Sequence, residues 1–447
     1  MSDLFEVADV ALAEASGDEQ IEAYVGRWRE TAIRVYEGEV EQLSVADSLG
    51  VGVRLVDDHR QGFACCGTFD RPAVRETIAE ARDNAAFAER DACIGLPEPD
   101  GQELAELDLW CSDVLDVSTE HKLAMAMRLE RGIRGADSRI SAVESCDYSD
   151  TAGETVVATT TGIRRSARVT SCELVGYPLA DDADATQSGF GFSIGRSVDD
   201  LDAERAARDA VERTIAMLGA VKPRSASLTV VLDPWVVAQL VGIVAGTLSA
   251  EEVLKGRSLF AGRSGEQVAD PMVTLVEDPT DPRAWGACPI DDEGLTSRRV
   301  PLVESGMLTQ FVHSTWTARR MGTASTGSAV RYGYKSAPLP RCRAVSLAPG
   351  SRDHDDLVAA VDDGILVRDV SGLHSGVNPT SGDLSTGAQG LRIRHGARGE
   401  PLHEFTIGST LQRLLLDVAA VGSDLTWLPM NAAGVTLVVD DVTISGR

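Results

Sequence analysis

Three consecutive acidic side chains, Asp291, Asp292 and Glu293, stand directly before Gly294. Carboxylates grouped in a loop can hold a divalent cation, and one carboxylate can act as a general base. The same side chains can instead accept hydrogen bonds from backbone N–H groups and stiffen the loop. We expect the structural role, and we count the three acidic residues as candidate cleft or interface residues.

Two short polar motifs supply hydroxyl groups beside flexible backbone. One is formed by Ser325, Thr326 and Gly327, and the other contains Asp383 and Ser385. A serine nucleophile needs a base within hydrogen-bond reach, and neither motif has the strand–Gly-x-Ser-x-Gly–helix form of an activated serine. We expect both motifs to be turns or polar walls of a cleft or interface, and we assign no catalytic residue.

The charge balance argues against two classes of partner. The chain of 447 residues has 42 Lys and Arg against 69 Asp and Glu, which gives a net charge of −27. Such a surface repels phosphate backbones and acidic lipid headgroups. The chain also lacks an apolar run of about 18 residues or more that could span a bilayer. We expect a cytoplasmic protein with free thiols that binds neither nucleic acid nor membrane.

The elements that position these groups fall into three units. Linkers rich in Pro or basic residues at 95–101 and 221–224 separate units at 1–95, 105–222 and 226–447. The first two units combine strand-like runs with helices, whereas the third is rich in Gly, Ser and Thr and has short strand-like runs. We predict an α+β protein with two N-terminal α/β units that have antiparallel sheets and flanking helices. The C-terminal unit is predicted to be a mostly β body with a few helices.

Periodicity places the elements of the first two units. A turn is predicted at Thr161 and Gly162, and Gly50 and Gly52 indicate a bulge or a close backbone approach. Strands are predicted at 19–28, 31–36, 48–55, 62–68, 141–148, 154–161 and 166–175, and helices at 4–15, 71–90, 118–135 and 201–218.

One helix of the third unit has almost only apolar and small residues beyond its first turn. It is predicted over 233–248, after a strand at 227–232. Asp233 is a good N-cap and Pro234 fits the first helical position. The apolar side chains that follow, Val241 among them, are expected to pack in the core.

Short motifs follow one another along nearly the whole chain. They are Gly50-Val-Gly-Val-Arg54, Gly62-Phe-Ala64, Lys255-Gly-Arg-Ser-Leu-Phe-Ala-Gly-Arg-Ser-Gly-Glu266, Pro289-Ile-Asp-Asp-Glu-Gly294, Leu302-Val-Glu-Ser-Gly-Met-Leu-Thr-Gln-Phe311, Ala318-Arg-Arg-Met-Gly322, Ser325-Thr-Gly327, Ser381-Gly-Asp-Leu-Ser-Thr-Gly-Ala-Gln-Gly390 and Val421-Gly-Ser-Asp424. In this order and spacing the chain resembles the TldD/PmbA family, which pairs two related subunits in a bacterial zinc protease.

The resemblance implies where zinc ligands would stand. The TldD-like branch of the family carries a His-Glu-x-x-x-His helix and a late cysteine ligand. Counted back without a gap from Lys255, the helix positions fall on Val241, Gly242 and Gly246. Zinc is bound by ring nitrogen, carboxylate or thiolate, and none of these three residues offers one.

The late part of the chain resembles the PmbA/TldE branch instead. No cysteine follows Cys342, and residues 426–431 stand where the late ligand would be sought. The motif at 381–385 is similar to that of PmbA/TldE proteins. The chain is therefore identified as a member of that branch.

The resemblance implies a non-catalytic subunit of a heteromeric zinc protease that cleaves extended or unfolded peptides. We expect no metal or cofactor in this chain, and zinc in a TldD-like partner with which it forms a heterodimer. The chain would shape the chamber and support that partner. Two alternatives stay open: a metal-independent hydrolase with Cys288, Ser325 or Ser385 as nucleophile, and a non-enzymatic homodimer that binds peptides.

Overall fold

A seven-stranded antiparallel sheet carries the N-terminal half of the chain. The computed structural model describes residues 2–182 and 185–447. The strands of this sheet are β1 Gln20–Tyr36, β2 Glu39–Asp57, β3 Arg60–Cys66, β4 Ala142–Thr159, β5 Arg164–Asp182, β6 Ala185–Ser188 and β7 Gly191–Gly195. The helices beside it are α1 Ser2–Leu12, α2 Arg71–Phe87, α3 Asp113–Asp116, α4 Thr119–Ala136 and α5 Ala203–Ile215.

The sheet joins the first two predicted units. Its order is β3-β2-β1-β4-β5-β6, with β7 also paired to β5. The central pair, β1 and β4, comes from opposite sides of the predicted linker at 95–101. Residues on the two sides of that linker are thus hydrogen-bonded in one sheet, and the predicted division at this point stays a prediction.

Four strands are longer than predicted. β2 spans Glu39–Asp57 where the prediction is 48–55, β5 spans Arg164–Asp182 where it is 166–175, and β1 and β4 each join two predicted runs. The separation of 19–28 from 31–36 was wrong, because β1 continues through Arg29 and Glu30 with β2 and β4 paired on its two sides. In the same way β4 joins the runs predicted at 141–148 and 154–161. Polar residues in the middle of a strand do not end it when both neighbouring strands accept its backbone hydrogen bonds.

The helices cover one face of the sheet and the C-terminal region covers part of the other. Helices α1 and α2 pack against the Ile21–Val25 part of β1, and α4 and α5 pack against its far end. On the opposite face, Tyr24 and Val157 pack with Leu295 of the C-terminal region. The sheet is therefore a shared wall between the helices and the C-terminal region.

The C-terminal region is mostly β, as predicted. Its strands are β8 Ala226–Leu232, β9 Leu275–Glu277, β10 Val300–Glu304, β11 Met307–Leu308, β12 Ala329–Val330, β13 Leu339–Pro340, β14 Val345–Leu347, β15 Asp363–Ser371, β16 Asp383–Arg394, β17 Ala397–Thr410, β18 Val418–Val421, β19 Thr426–Trp427, β20 Ala433–Gly434 and β21 Leu437–Ser445. Its helices are α6 Pro234–Thr247, α7 Ala250–Leu254, α8 Thr315–Met321, α9 His354–Ala359, α10 Leu373–Gly376 and α11 Leu411–Leu416.

The main sheet of this region is a closed, barrel-like arrangement. Its order is β17-β16-β15-β8-β21-β18, and an additional pairing of β17 with β21 connects distant strands of that order. Strand β8 pairs parallel to β15, and α6 follows β8 directly. The largest apolar cluster of the protein lies between this sheet and α6. The predicted α+β class is confirmed. No helix in the described ranges has the length and apolar character needed to cross a lipid bilayer.

Candidate functional site

Helix α6 has the local structure that its sequence predicts. The Asp233 side chain accepts the N–H of Trp235 at 3.0 Å, and Pro234 occupies the first turn, where its missing N–H has no helical partner to lose. Val236, Val241 and Val244 are buried in the main apolar cluster. The predicted cap, first-turn proline and core packing of this helix are therefore all present.

The three positions to which the resemblance assigns zinc ligands do not share one face of α6. Val241 is only 5% exposed and packs in the core, whereas Gly242 and Gly246 are exposed. The two glycines are four residues apart and so lie one above the other on the outer face of the helix. A Cβ atom built on Gly246 would meet nothing within 4 Å. The outer face of α6 is thus open backbone with no donor side chain at these positions.

Residues 426–434, which we call the late segment, lie next to this face. A Cβ atom on Gly242 would approach the Cβ of Ala432 to 3.9 Å, and one on Gly434 would lie 1.7 Å from the carbonyl oxygen of Pro234. Residues 426–431, where the resemblance puts the late ligand position, immediately precede Ala432. The tertiary structure therefore brings the helix and the late segment together.

Zinc, the metal implied by the family, does not fit these residues. Coordination needs imidazole nitrogen, carboxylate oxygen or thiolate. Valine and glycine offer none of them at the three helix positions. In the part of the chain that the structure describes, no group of three or more His, Cys, Asp and Glu is arranged to hold a metal ion.

The acidic loop is held by hydrogen bonds from the backbone. Asp291 accepts the N–H groups of Glu293 at 3.0 Å, Leu295 at 2.9 Å and Ala329 at 3.1 Å. Burial and the nearby charge of Glu293 raise the pKa of Asp291 above its ordinary value. Asp292 accepts the N–H of Arg331 at 2.7 Å. These two carboxylates are therefore occupied in shaping the loop and joining it to residues 329–331.

Glu293 joins the loop to the N-terminal sheet through a buried ion network. Arg54 donates to Glu293 at 3.0 Å and to Glu22 at 2.6 Å, and Arg331 also pairs with Glu22. The second oxygen of Glu293 accepts the N–H of Thr315 at 2.8 Å, at the start of α8. These four charged side chains are at most 6% exposed. We call Glu22, Arg54, Glu293 and Arg331 the buried ion network.

Two arginines decide the charge state of Glu22. Burial by itself raises the pKa of this carboxyl, but the charges and hydrogen bonds of Arg331 and Arg54 outweigh burial, so the pKa is lowered. Local sequence patterns do not mark Glu22, Arg54 or Arg331 as candidate site residues. A usable signal was present at Arg54, a charged residue inside the apolar run 51–56.

Asp292 also borders a cavity of about 300 Å³ between the N-terminal sheet and the C-terminal region. Arg343 pairs with Asp292 there. Cys288, one of the alternative nucleophiles, lines the same cavity, and burial raises the pKa of its thiol. A raised pKa disfavours the thiolate, which is the reactive form of cysteine.

The motif Ser325, Thr326 and Gly327 packs against the backbone of His313 and of Thr296, which follows the acidic loop. The Ser325 hydroxyl donates to the main-chain carbonyl of His313 at 3.2 Å, and Thr326 Oγ1 accepts the His313 N–H at 2.7 Å. Gly327 has φ +68°, and a Cβ there would lie 2.3 Å from the Thr296 carbonyl oxygen. Ser325 therefore contacts the backbone of His313 and not a ring nitrogen that could act as its base.

Asp383 and Ser385 lie in a different place, along an open cleft of about 900 Å³ at the start of β16. The Ser381 hydroxyl donates to Asp383 at 2.7 Å, and Asn378 accepts the N–H of Ser381 at 3.1 Å. Ser385 is paired through its backbone with Gly408 of β17. The structure thus bonds the acidic loop to Ala329 and Arg331, just after the motif at 325–327, and gives 383–385 a cleft of their own.

Family comparison agrees with the motifs read from the sequence. Three family models match the chain: PmbA/TldA metallopeptidase domain 1 over 21–85, the central domain over 112–218 and the C-terminal domain over 225–446. The chain belongs to the PmbA/TldD family of metallopeptidases.

Relatives and one solved structure are similar to the chain along nearly its whole length. Metalloprotease PmbA of Escherichia coli O157:H7 is 24% identical over 424 residues, covering 94% of this chain and 92% of its own. The Metalloprotease TldD homolog of Haemophilus influenzae is 27% identical over 439 residues, covering 92% of this chain and 89% of its own. TldE from Thermococcus kodakarensis has the same fold, with a TM-score of 0.90 at 23% identity, over 99% of this chain and 100% of its own.

Proposed function

We propose that this chain is the metal-free, PmbA/TldE-like subunit of a heteromeric zinc metalloprotease. It assembles with a TldD-like subunit that holds zinc, shapes the chamber around that metal and admits extended or unfolded peptides. A cytoplasmic location is part of the proposal, in line with eight free cysteines.

The observation that carries the proposal is helix α6. Its N-cap, its first-turn proline and its buried valines are those of an intact scaffold. Its inherited ligand positions nevertheless carry Val241, Gly242 and Gly246. A chain that keeps the scaffold without donors contributes shape and contacts, while its partner contributes the metal and the activated water.

The alternative of a metal-independent hydrolase has less support. The Ser325 hydroxyl is bonded to a main-chain carbonyl. The Cys288 thiol has a raised pKa because it is buried. Neither group is thereby prepared for attack on a carbonyl carbon.

The test compares this chain alone, its zinc-bearing family counterpart alone and an equimolar mixture. We expect no stoichiometric zinc and no peptidase activity in this chain alone. The mixture should cleave an unfolded peptide faster than the counterpart alone, and a chelator should abolish that activity. Tightly bound zinc held by this chain's own side chains, or cleavage by this chain in the presence of chelator, would overturn the proposal.

A further inference from the structure

One half of strand β2 has no neighbour on its outer side. β3 pairs with β2 only over residues 51–57, so the outer edge of 39–49 is free of strand partners among the described residues. Every residue from Glu39 to Leu49 is exposed. At about 3.3 Å per residue this segment offers an edge roughly 36 Å long. A long exposed edge of unpaired N–H and C=O groups is a template for pairing with another strand.

The free half of β2 also carries an apolar stripe. Val40, Leu43, Val45 and Leu49 are 42%, 47%, 44% and 38% exposed. Directly opposed residues in paired strands share one face. Leu43 is opposite Ile33 in β1, and Val40 is opposite Val35.

The stripe continues a buried surface. Ile33 and Val35 are covered by α4 and α5, so the stripe is the uncovered extension of the same helix-bearing face. Large apolar side chains grouped on an exposed face mark a contact surface. We call residues 39–49 with this stripe the open β2 edge.

Charge distinguishes between possible occupants. From residue 37 to residue 49 the chain has four acidic residues, Glu37, Glu39, Glu41 and Asp47, and no Lys or Arg. A second copy of this chain paired along the same edge would set these acidic groups against one another, and like charges on adjacent strands are destabilising. A partner edge with Lys or Arg beside apolar side chains is complementary to this segment.

We propose that the open β2 edge is the docking surface for the zinc-bearing counterpart. The counterpart would add an exposed strand with apolar and basic side chains to the N-terminal sheet. This inference rests on the proposed function and names the surface by which the two subunits meet. Strand addition supplies main-chain hydrogen bonds, and the stripe and the acidic residues supply specificity.

The experiment measures association of this chain with the zinc-bearing family member of the same genome by analytical ultracentrifugation. In the test variant, Leu43→Glu and Val45→Glu place two charges on the stripe. In the matched control, Ser44→Glu and Ala46→Glu place two charges on the opposite face of the same exposed segment. All four positions are exposed, so each variant should retain the circular dichroism spectrum and unfolding midpoint of the unmodified chain.

We expect the stripe variant to raise the dissociation constant by about tenfold or more and the control to raise it by less than about threefold. A third variant, with Glu39→Lys, Glu41→Lys and Asp47→Lys, should also weaken association, and high salt should weaken association of the unmodified chain. Equal association of the stripe variant and the unmodified chain would overturn the surface assignment and leave the proposed function intact.

Two further outcomes separate this inference from the proposal on which it rests. If the unmodified chain does not associate with its counterpart, both are overturned. If the unmodified chain forms a dimer with itself that the stripe variant breaks, the surface is an interface between copies, and the assignment to a zinc-bearing partner is wrong.

Discussion

Helix α6 and the buried ion network use polar side chains in opposite ways. The helix keeps its cap and its apolar packing but has no donor at Val241, Gly242 and Gly246, the positions that the resemblance assigns to zinc ligands. The network keeps four charged side chains in a nearly solvent-free layer, where each is paired. Buried charge in this protein connects regions of the chain, whereas the helix serves packing and shape.

Substitutions in the buried ion network and on α6 should differ in their effect on the free energy of unfolding. An ion pair with both partners in place can be close to neutral for stability, but removal of one partner leaves an uncompensated buried charge. The exposed face of α6 has no charged side chain at Gly242 and Gly246, so a substitution there leaves no buried charge without a partner. The two regions should therefore respond very differently to single substitutions.

The largest expected effect is that of Arg54→Met. The substitution leaves Glu293 without its ion-pair partner and Glu22 with Arg331 alone. We expect the free energy of unfolding in urea to fall by about 3–5 kcal/mol. The control is Arg128→Ala, which breaks a pair with Glu204 that is 64% and 67% exposed and should cost less than about 1 kcal/mol. Similar losses in both variants would contradict the importance of burial.

The second prediction concerns pH and Glu277. This carboxyl in β9 accepts the main-chain N–H groups of Arg343 and Ala344 at 2.8 and 3.0 Å. Burial nevertheless raises its pKa from 4.5 to about 7. The folded state therefore binds the proton more tightly than the unfolded state. The contribution of Glu277 to stability is largest below pH 4.5 and falls by up to about 3 kcal/mol as the pH rises to 7.

Urea unfolding at several pH values checks this sign. As the pH rises, the unmodified chain should lose unfolding free energy relative to Glu277→Gln. Glu22→Gln supplies the opposite case, because the lowered pKa of Glu22 gives stability that is present above pH 4.5 and lost as pH falls. If the stability difference from the unmodified chain changed with pH in the same direction for both variants, the two carboxyls would not have opposite pKa shifts.

The third prediction tests the contact between the late segment and α6. In Gly434→Ala the new Cβ would lie 1.7 Å from the carbonyl oxygen of Pro234, so backbone must move. We expect a loss of about 1–3 kcal/mol in thermal or urea unfolding. An unchanged midpoint would mean that the late segment is not pressed against the start of the helix.

The smallest expected effect has the opposite sign. In Gly246→Ala the new Cβ meets nothing within 4 Å, and alanine is the better helix former. We expect a gain of about 0.5–1 kcal/mol, measured in the same way. A loss of stability at Gly246 would instead indicate that the open face of α6 is constrained in the free chain.

Sequence patterns predicted local features well where neighbouring residues decide them. The cap Asp233 and the proline after it stand at the start of α6 as expected. The turn predicted at Thr161 and Gly162 joins β4 to β5, and Gly162 has φ +103°. A Cβ atom added to Gly52 would lie 2.3 Å from the carbonyl oxygen of Tyr334, which is the predicted close approach.

Patterns failed where distant residues decide the outcome. The runs at 19–28 and 31–36 are one strand because two neighbouring strands pair across their junction. The partners of Arg54 are 32 and 239 residues away, at Glu22 and Glu293. The periodicity of a short stretch of sequence contains no information about contacts this far apart.

By itself, the sequence determined the family, the α+β class and the lack of zinc donors on α6, because these depend on residue types and their order. Only the tertiary structure decided that Val241 faces the core while Gly242 and Gly246 face outward, that the acidic loop joins the N-terminal sheet, and that half of β2 is uncovered. Those features depend on contacts between residues that are distant in the sequence, because such contacts determine which groups are buried, paired or exposed.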